Sequence, residues 1–139
     1  MGTSLFGGEG DDALGMPRVE PKGQDELTLL ELVLRVQGDF RQRLAPLRVT
    51  PLQAGVILYL HRHWEAKVTE AAAAVGVEGP TLSVVVRTLV RKRWVTGHRT
   101  PDDRRVVRLR LTQRGEVLAR RIKDKIRHVR SDLTSMKGA

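Results

Sequence analysis

Apolar residues recur at spacings of three and four between Asp25 and about Leu47: Leu27, Leu30, Val33, Leu34, Phe40, Leu44 and Leu47. That period predicts an amphipathic helix. Leu29, Leu32 and Val36 widen the stripe to a second side. A helix apolar on two sides needs two partners, its own core and something else. A second copy of the chain is the simplest choice. Residues 1–24 are rich in Gly, Asp and Glu, show no such period, and read as a mobile tail.

Thr50-Pro51-Leu52-Gln53 is a strong helix start, with Thr50 as cap, Pro51 at the first helical position and Gln53 able to close a capping box. The helix it opens carries Leu52, Val56, Ile57 and Leu60 on one face and ends near His63. Thr69 is placed to cap a short helix from Glu70 to Val75, with Gly76 as its C-terminal stop. Pro80 opens another helix that runs to about Arg93, with Leu82, Val85, Val86 and Leu89 as its buried stripe. Val84-Val85-Val86 is β-prone on its own, but the stripe and the proline start favour helix. A short helix, a glycine turn and a second amphipathic helix make a helix-turn-helix.

A hairpin follows over about residues 94–111. Trp94-Val95 begins one strand, Thr100-Pro101-Asp102-Asp103 forms the turn, and Val107, Leu109 and Leu111 alternate with Arg108 and Arg110 on the second strand. Thr112 caps a last long helix with the stripe Leu118, Ile122, Ile126, Val129 and Leu133. The expected fold is mainly α with a small β wing: a tail over residues 1–24, then a winged helix-turn-helix with flanking helices over 25–139.

Composition sharpens this picture. The 139 residues have a formal net charge of +9, and the charge is unevenly placed. Gly79 to Ser131 holds 16 Lys and Arg against four acids, Asp102, Asp103, Glu116 and Asp124. The rest of the chain holds nine basic and twelve acidic side chains. So concentrated an excess points to an acidic partner, and nucleic acid is the usual one. The plainer reading, a solvated helix face, accounts less well for the concentration. There is no cysteine, which excludes disulfides, thiolate zinc sites and thiol redox sensing. No run is long and apolar enough to span a membrane, and no secretion signal is evident, so the cytoplasm is the expected location.

Three pieces of the chain resemble the MarR family of winged-helix regulators. They are Thr50-Pro51-Leu52-Gln53, then Val75-Gly76-Val77 with Pro80-Thr81-Leu82-Ser83, and most specifically Pro101-Asp102-Asp103-Arg104-Arg105 closing onto Leu109-Arg110-Leu111-Thr112-Gln113-Arg114-Gly115. The resemblance covers about Leu47 to Leu118. It implies a homodimeric regulator of transcription, most often a repressor, that binds a pseudo-palindromic duplex DNA operator and is released by a small aromatic or phenolic ligand. Several positions depart from the pattern. Glu78 stands where the family usually has a Ser cap, Val84 where Arg is frequent, Arg93 where Gly is usual, and Gly97 where Arg is common. The family also carries a further C-terminal helix, for which Ser131 to Ala139 is too short, so either an altered dimer or a shortened sequence is expected.

In such a fold the second helix of the helix-turn-helix enters the major groove. Subtracting its buried stripe leaves Thr81, Ser83, Val84, Arg87, Thr88 and Arg91 facing outward. Arg87 is the best candidate for a bidentate contact to guanine, and Val84 can touch only a thymine methyl. Asp103 and Arg105 match the family's pair that holds the wing turn, which puts Arg104 at the tip, suited to a minor groove. Arg99, Arg108 and Arg110 are expected near phosphates, which set affinity rather than sequence.

Other chemistry is poorly represented. His61 and His63, two apart on a helix, point in nearly opposite directions and make a poor metal pair. His98 and His128 stand alone, so no metal is expected. No phosphate loop, nucleophile elbow or paired carboxylates appear, so neither an enzyme nor a cofactor is expected. Phe6, Phe40, Tyr59, Trp64 and Trp94 are scattered, unlike a single-strand stacking platform. The competing reading is a winged-helix module that binds protein and not DNA. A basic wing separates the two, because protein binding does not require one.

Overall fold

The computed structural model describes residues 21–127 and Val129. They fall into two compact units, one ending at Arg35 and the other beginning at Val36. Helix α1 spans Pro21–Leu44, starting about a turn earlier than its apolar stripe, and gives way to a 3₁₀ turn over Ala45–Leu47. The stripe expected to be one helix to Leu47 is thus split. Pro46 removes a backbone donor, and Arg48 closes the turn in the left-handed region at φ 59°.

Helix α2 covers Pro51–Arg62, and both halves of its capping box are formed. Thr50 Oγ1 accepts from the Gln53 amide at 3.1 Å, and Gln53 Oε1 accepts from the Thr50 amide at 3.0 Å. A two-residue strand β1, Ala66–Lys67, follows and leads straight into α3, Val68–Val75. This corrects the expected Thr69 cap. Strand pairing carries the chain to Lys67, so the helix begins before Thr69, and Glu70 Oε1 caps it by accepting from the Lys67 amide at 2.8 Å. Gly76 ends α3 at φ 74°, a conformation that suits glycine.

Helix α4, Gly79–Arg91, makes an angle of 106° with α3, within the range of a helix-turn-helix. The Val84-Val85-Val86 run is helical. Strands β2, Val95–Arg99, and β3, Val107–Leu111, form the hairpin. β3 is central in an antiparallel sheet of order β1-β3-β2, with Ala66 and Gly97 both opposite Leu109. Helix α5, Gln113–Ile126, is capped by Thr112 Oγ1, which accepts from the Gly115 amide at 3.0 Å.

One core joins these elements. Leu44, Val56, Ile57, Leu60, Leu82, Leu89, Val95, Leu109 and Ile122 are fully buried. Each comes from a stripe position of its element, and burial of so many large aliphatic side chains is the main force holding the unit together. Trp94 packs against this core and fixes the wing to it. Of the tail expected over residues 1–24, residues 21–24 belong to α1 instead, and residues 1–20, together with Leu133 and the segment 131–139, lie outside the described residues. Among the described residues no single helix is long and apolar enough to cross a membrane.

Candidate nucleic-acid interface

The core decides which face of α4 is presented. Leu82 and Leu89 are buried, and Val85 and Val86 pack against the core. The helical period then turns Thr81, Ser83, Val84, Arg87 and Arg91 outward, all exposed, with Thr88 half-buried beside them. Val84 is 56% exposed, an apolar side chain offered to solvent in the middle of a polar surface. Glu78 occupies the N-cap of α4 with no side-chain hydrogen bond to the helix.

The wing turn is built from short polar contacts. Thr100 Oγ1 accepts from the Asp103 amide at 3.3 Å and lies 3.1 Å from the Asp103 carbonyl, to which it donates. Asp103 Oδ1 accepts from the Arg105 amide at 3.0 Å and from Arg105 Nε at 3.1 Å. The Arg105 guanidinium and amide, helped by Lys67, hold the Asp103 carboxyl below its ordinary value of 3.8. Arg99 donates to the Arg104 carbonyl, so this guanidinium braces the turn as well as lining the interface. The Arg104 side chain is exposed. Among the described residues, Arg87, Arg91 and Arg104 have no acidic partner.

The helix and the wing meet at a cleft of about 370 Å³ lined by Lys67, Thr69, Gly79, Ser83, Arg99 and Arg105, among others. Ser83 of α4 and Arg99 of β2 therefore share one basic groove at the N-terminal end of α4. Lys67 and Thr69 are additions that the sequence pattern did not reveal. Their placement depends on β1 joining the sheet, and two residues show no alternation to detect.

Arg108 and Arg110, expected near phosphates, also have a partner within the chain. Both are half-buried and approach Glu65, with Arg108 Nη1 at 3.7 Å and Arg110 Nε at 3.6 Å from its carboxylate. His98 Nε2 lies 3.8 Å from the same group. The Arg110 guanidinium also lies over the Trp64 ring, 4.3 Å from its centroid. His61 and His63 separate as their spacing requires. His61 Nδ1 is 2.7 Å from Glu116 Oε1 on α5, while His63 stacks on Tyr59. Among the described residues no group of three His, Asp or Glu could hold a metal.

An exposed polar helix face beside a basic hairpin is the geometry of a winged helix, and known proteins share it. A sequence model of the MarR family matches residues 49–106. The chain is 31% identical over 70 residues to an uncharacterized HTH-type transcriptional regulator, YpoP, of Bacillus subtilis, covering 50% of each chain. It is 28% identical over 92 residues to the HTH-type transcriptional repressor MdtR of the same organism, covering 66% of this chain and 59% of that one. The chain thus spans little more than half the length of these curated relatives. Among solved structures, the transcriptional repressor CouR bound to a 23-mer DNA duplex is similar with a TM-score of 0.70 at 28% identity, covering 88% of this chain and 97% of that one. A mutant MarR from E. coli, complexed with operator DNA, gives a TM-score of 0.74 at 22% identity over 83% of this chain and 81% of that one. At that identity the likeness to MarR is one of fold. Within the residues that match, Arg93 sits at φ 65°, the left-handed conformation that suits glycine.

Proposed function

We propose that this chain is a sequence-specific duplex DNA-binding regulator of transcription, acting as a repressor and as a homodimer. The observations that carry the reading are the cleft between α4 and the wing, lined by Lys67, Arg99 and Arg105, and the exposure of Arg87, Arg91 and Arg104, unpaired among the described residues. CouR on a DNA duplex and MarR on operator DNA support it, since both share this fold.

In this reading α4 lies in the major groove, where Arg87 reads a guanine and Val84 meets a thymine methyl. Arg104 enters the adjacent minor groove, and Arg99, Lys67 and Ser83 contact the intervening phosphates. Leu27, Leu29, Leu30, Val33 and Leu34 are all about half exposed or more on α1, an apolar patch suited to a second copy. Two-fold pairing places two wings one helical turn apart on a pseudo-palindrome. A small aromatic or phenolic ligand releases the DNA, and the protein acts in the cytoplasm, as a regulator and not a catalyst.

The test compares Arg87→Ala with Arg104→Ala on the preferred duplex and on single-base variants of it. Arg87→Ala should lose about 1–3 kcal/mol of discrimination at one base position. Arg104→Ala should weaken binding with the melting temperature unchanged. Uniform weakening of all sequences by Arg87→Ala would reassign that residue to a phosphate.

A further inference from the structure

A second basic cleft lies at the base of the wing. The strand register pairs Val95 with Leu111 at that end of the hairpin. Each strand has five residues, so the turn that carries Arg104 is about 16 Å or more away along the sheet. The cleft holds about 380 Å³ and is lined by Arg48, Trp94, Arg114, Val117, Leu118 and Arg121, among others. It shares no lining residue with the cleft beside α4.

Its walls follow from the chain. Val117, Leu118 and Arg121 stand three, four and seven residues after Arg114, so all four share one face of α5. Seven residues of helix set the two arginines about 10 Å apart along the axis. Leu118 anchors this face in the core, while Val117 is 45% exposed between the arginines. Gly115, having no Cβ, lets the Trp94 backbone close onto α5, which brings the indole to the same groove. The remaining wall is the 3₁₀ turn that Arg48 closes, held in place by the buried Leu47.

The charge of this cleft has no internal counterpart. Arg48, Arg114 and Arg121 are exposed, and among the described residues they have no acidic partner. The two acids of α5 are engaged elsewhere: Glu116 meets His61 at 2.7 Å, and Asp124 pairs with Arg127. Lys92 adds a fourth cation, its Nζ 5.1 Å from the centroid of the Trp94 ring. Three guanidinium groups beside an indole and a valine suit a ligand with several negative charges and a planar part. A single carboxylate fills one guanidinium fork and leaves the other two cations unanswered. A diphosphate offers oxygens to all three. The volume is that of a small-molecule site.

We propose that this cleft binds a nucleoside diphosphate or triphosphate, with Arg48, Arg114 and Arg121 on the phosphates and the base against Trp94 and Val117. The site goes beyond the DNA-binding reading and does not depend on it. A bound nucleotide joins the turn at Arg48, the wing base and α5, so it stabilises the folded chain.

Titration calorimetry of the full chain near 0.1 M salt tests this with ADP, GDP, pyrophosphate and adenosine as probes. At least one of the two nucleotides should bind about tenfold more tightly than pyrophosphate, the contribution of a base stacked on an aromatic ring. Adenosine should not bind. Arg114→Gln and Arg121→Gln should each weaken nucleotide binding about tenfold or more, through loss of a charged hydrogen bond. Both should keep the wild-type Tm without ligand, since the side chains they replace are exposed and unpaired, and both should lose the rise in Tm that the nucleotide gives wild type. Arg99→Gln, in the cleft beside α4, should leave nucleotide binding unchanged. Weakening by Arg99→Gln equal to that by Arg114→Gln would place the phosphates beside α4 and overturn the proposal. Pyrophosphate binding as tightly as the nucleotides, nucleotide binding unchanged in Arg114→Gln and Arg121→Gln, or no binding of either nucleotide would each overturn it too.

Discussion

Replacing Gly115 with alanine should damage the joint between the wing and α5. A Cβ at Gly115 would lie 2.1 Å from the Trp94 carbonyl oxygen and 3.1 Å from Leu111 Cδ2. An ordinary carbon–oxygen contact is about 3.3 Å or more, so the backbone must move by about 1.2 Å. The oxygen cannot yield freely, because the Thr112 amide donates to it at 3.0 Å. Thr112 Oγ1 donates to the Arg93 carbonyl at 2.6 Å and accepts from the Gly115 amide at 3.0 Å. Overpacking costs about 1–3 kcal/mol, and each hydrogen bond stretched open costs about 0.5–1.5 kcal/mol more. The better helix propensity of alanine returns about 1 kcal/mol at most. The net loss is about 2–4 kcal/mol, a fall in Tm of about 8–16 °C for a domain of this size. Gly38→Ala is the control, since its added Cβ would meet only a flexible Arg41 Nη2 at 3.6 Å, and it should raise Tm slightly. Thermal unfolding by circular dichroism reads both variants, at matched protein concentration because self-association of the kind proposed would make Tm concentration-dependent. A Gly115→Ala protein melting within a degree or two of wild type would refute the reasoning.

Arg93→Gly should raise Tm. Glycine holds the left-handed conformation without the Cβ clash, which relieves about 1–2 kcal/mol against an entropic cost of about 0.5–1 kcal/mol, so a gain of up to about 1.5 kcal/mol is expected and a lower Tm would contradict it. Leu30→Glu, at a position 54% exposed on α1, should convert a dimer to monomers in sedimentation at micromolar concentration. A clean monomer in the wild-type protein, free and on DNA, would sink the symmetric-operator reading.

Much of the fold was legible because its signals are local. Thr50 and Gln53 build their capping box within one turn of chain, and the stripe Leu82, Val85, Val86, Leu89 needs only the helical period. What escaped depends on contacts distant in sequence. β1 exists because Ala66 meets Leu109, and nothing in two residues announces that pairing. Once β1 is absent from the reading, Lys67 and Thr69 cannot be placed in the cleft, and Thr69 looks like a helix cap. The alternation of Arg108 and Arg110 with leucines is visible in the sequence, while the approach of Glu65 to them is not. The outward residues of α4 could be named by subtraction, since one buried face fixes the other. Which base each of them meets depends on a duplex whose sequence the chain does not contain.

Selection of bound duplexes from a random pool at near-physiological salt tests the central claim most directly. The account predicts enrichment of a two-fold-symmetric sequence, with half-sites one helical turn (about 10 base pairs) apart and a guanine that Arg87→Ala ceases to select. Recovery of unrelated sequences with no shared motif, or of no duplex at all, would contradict it.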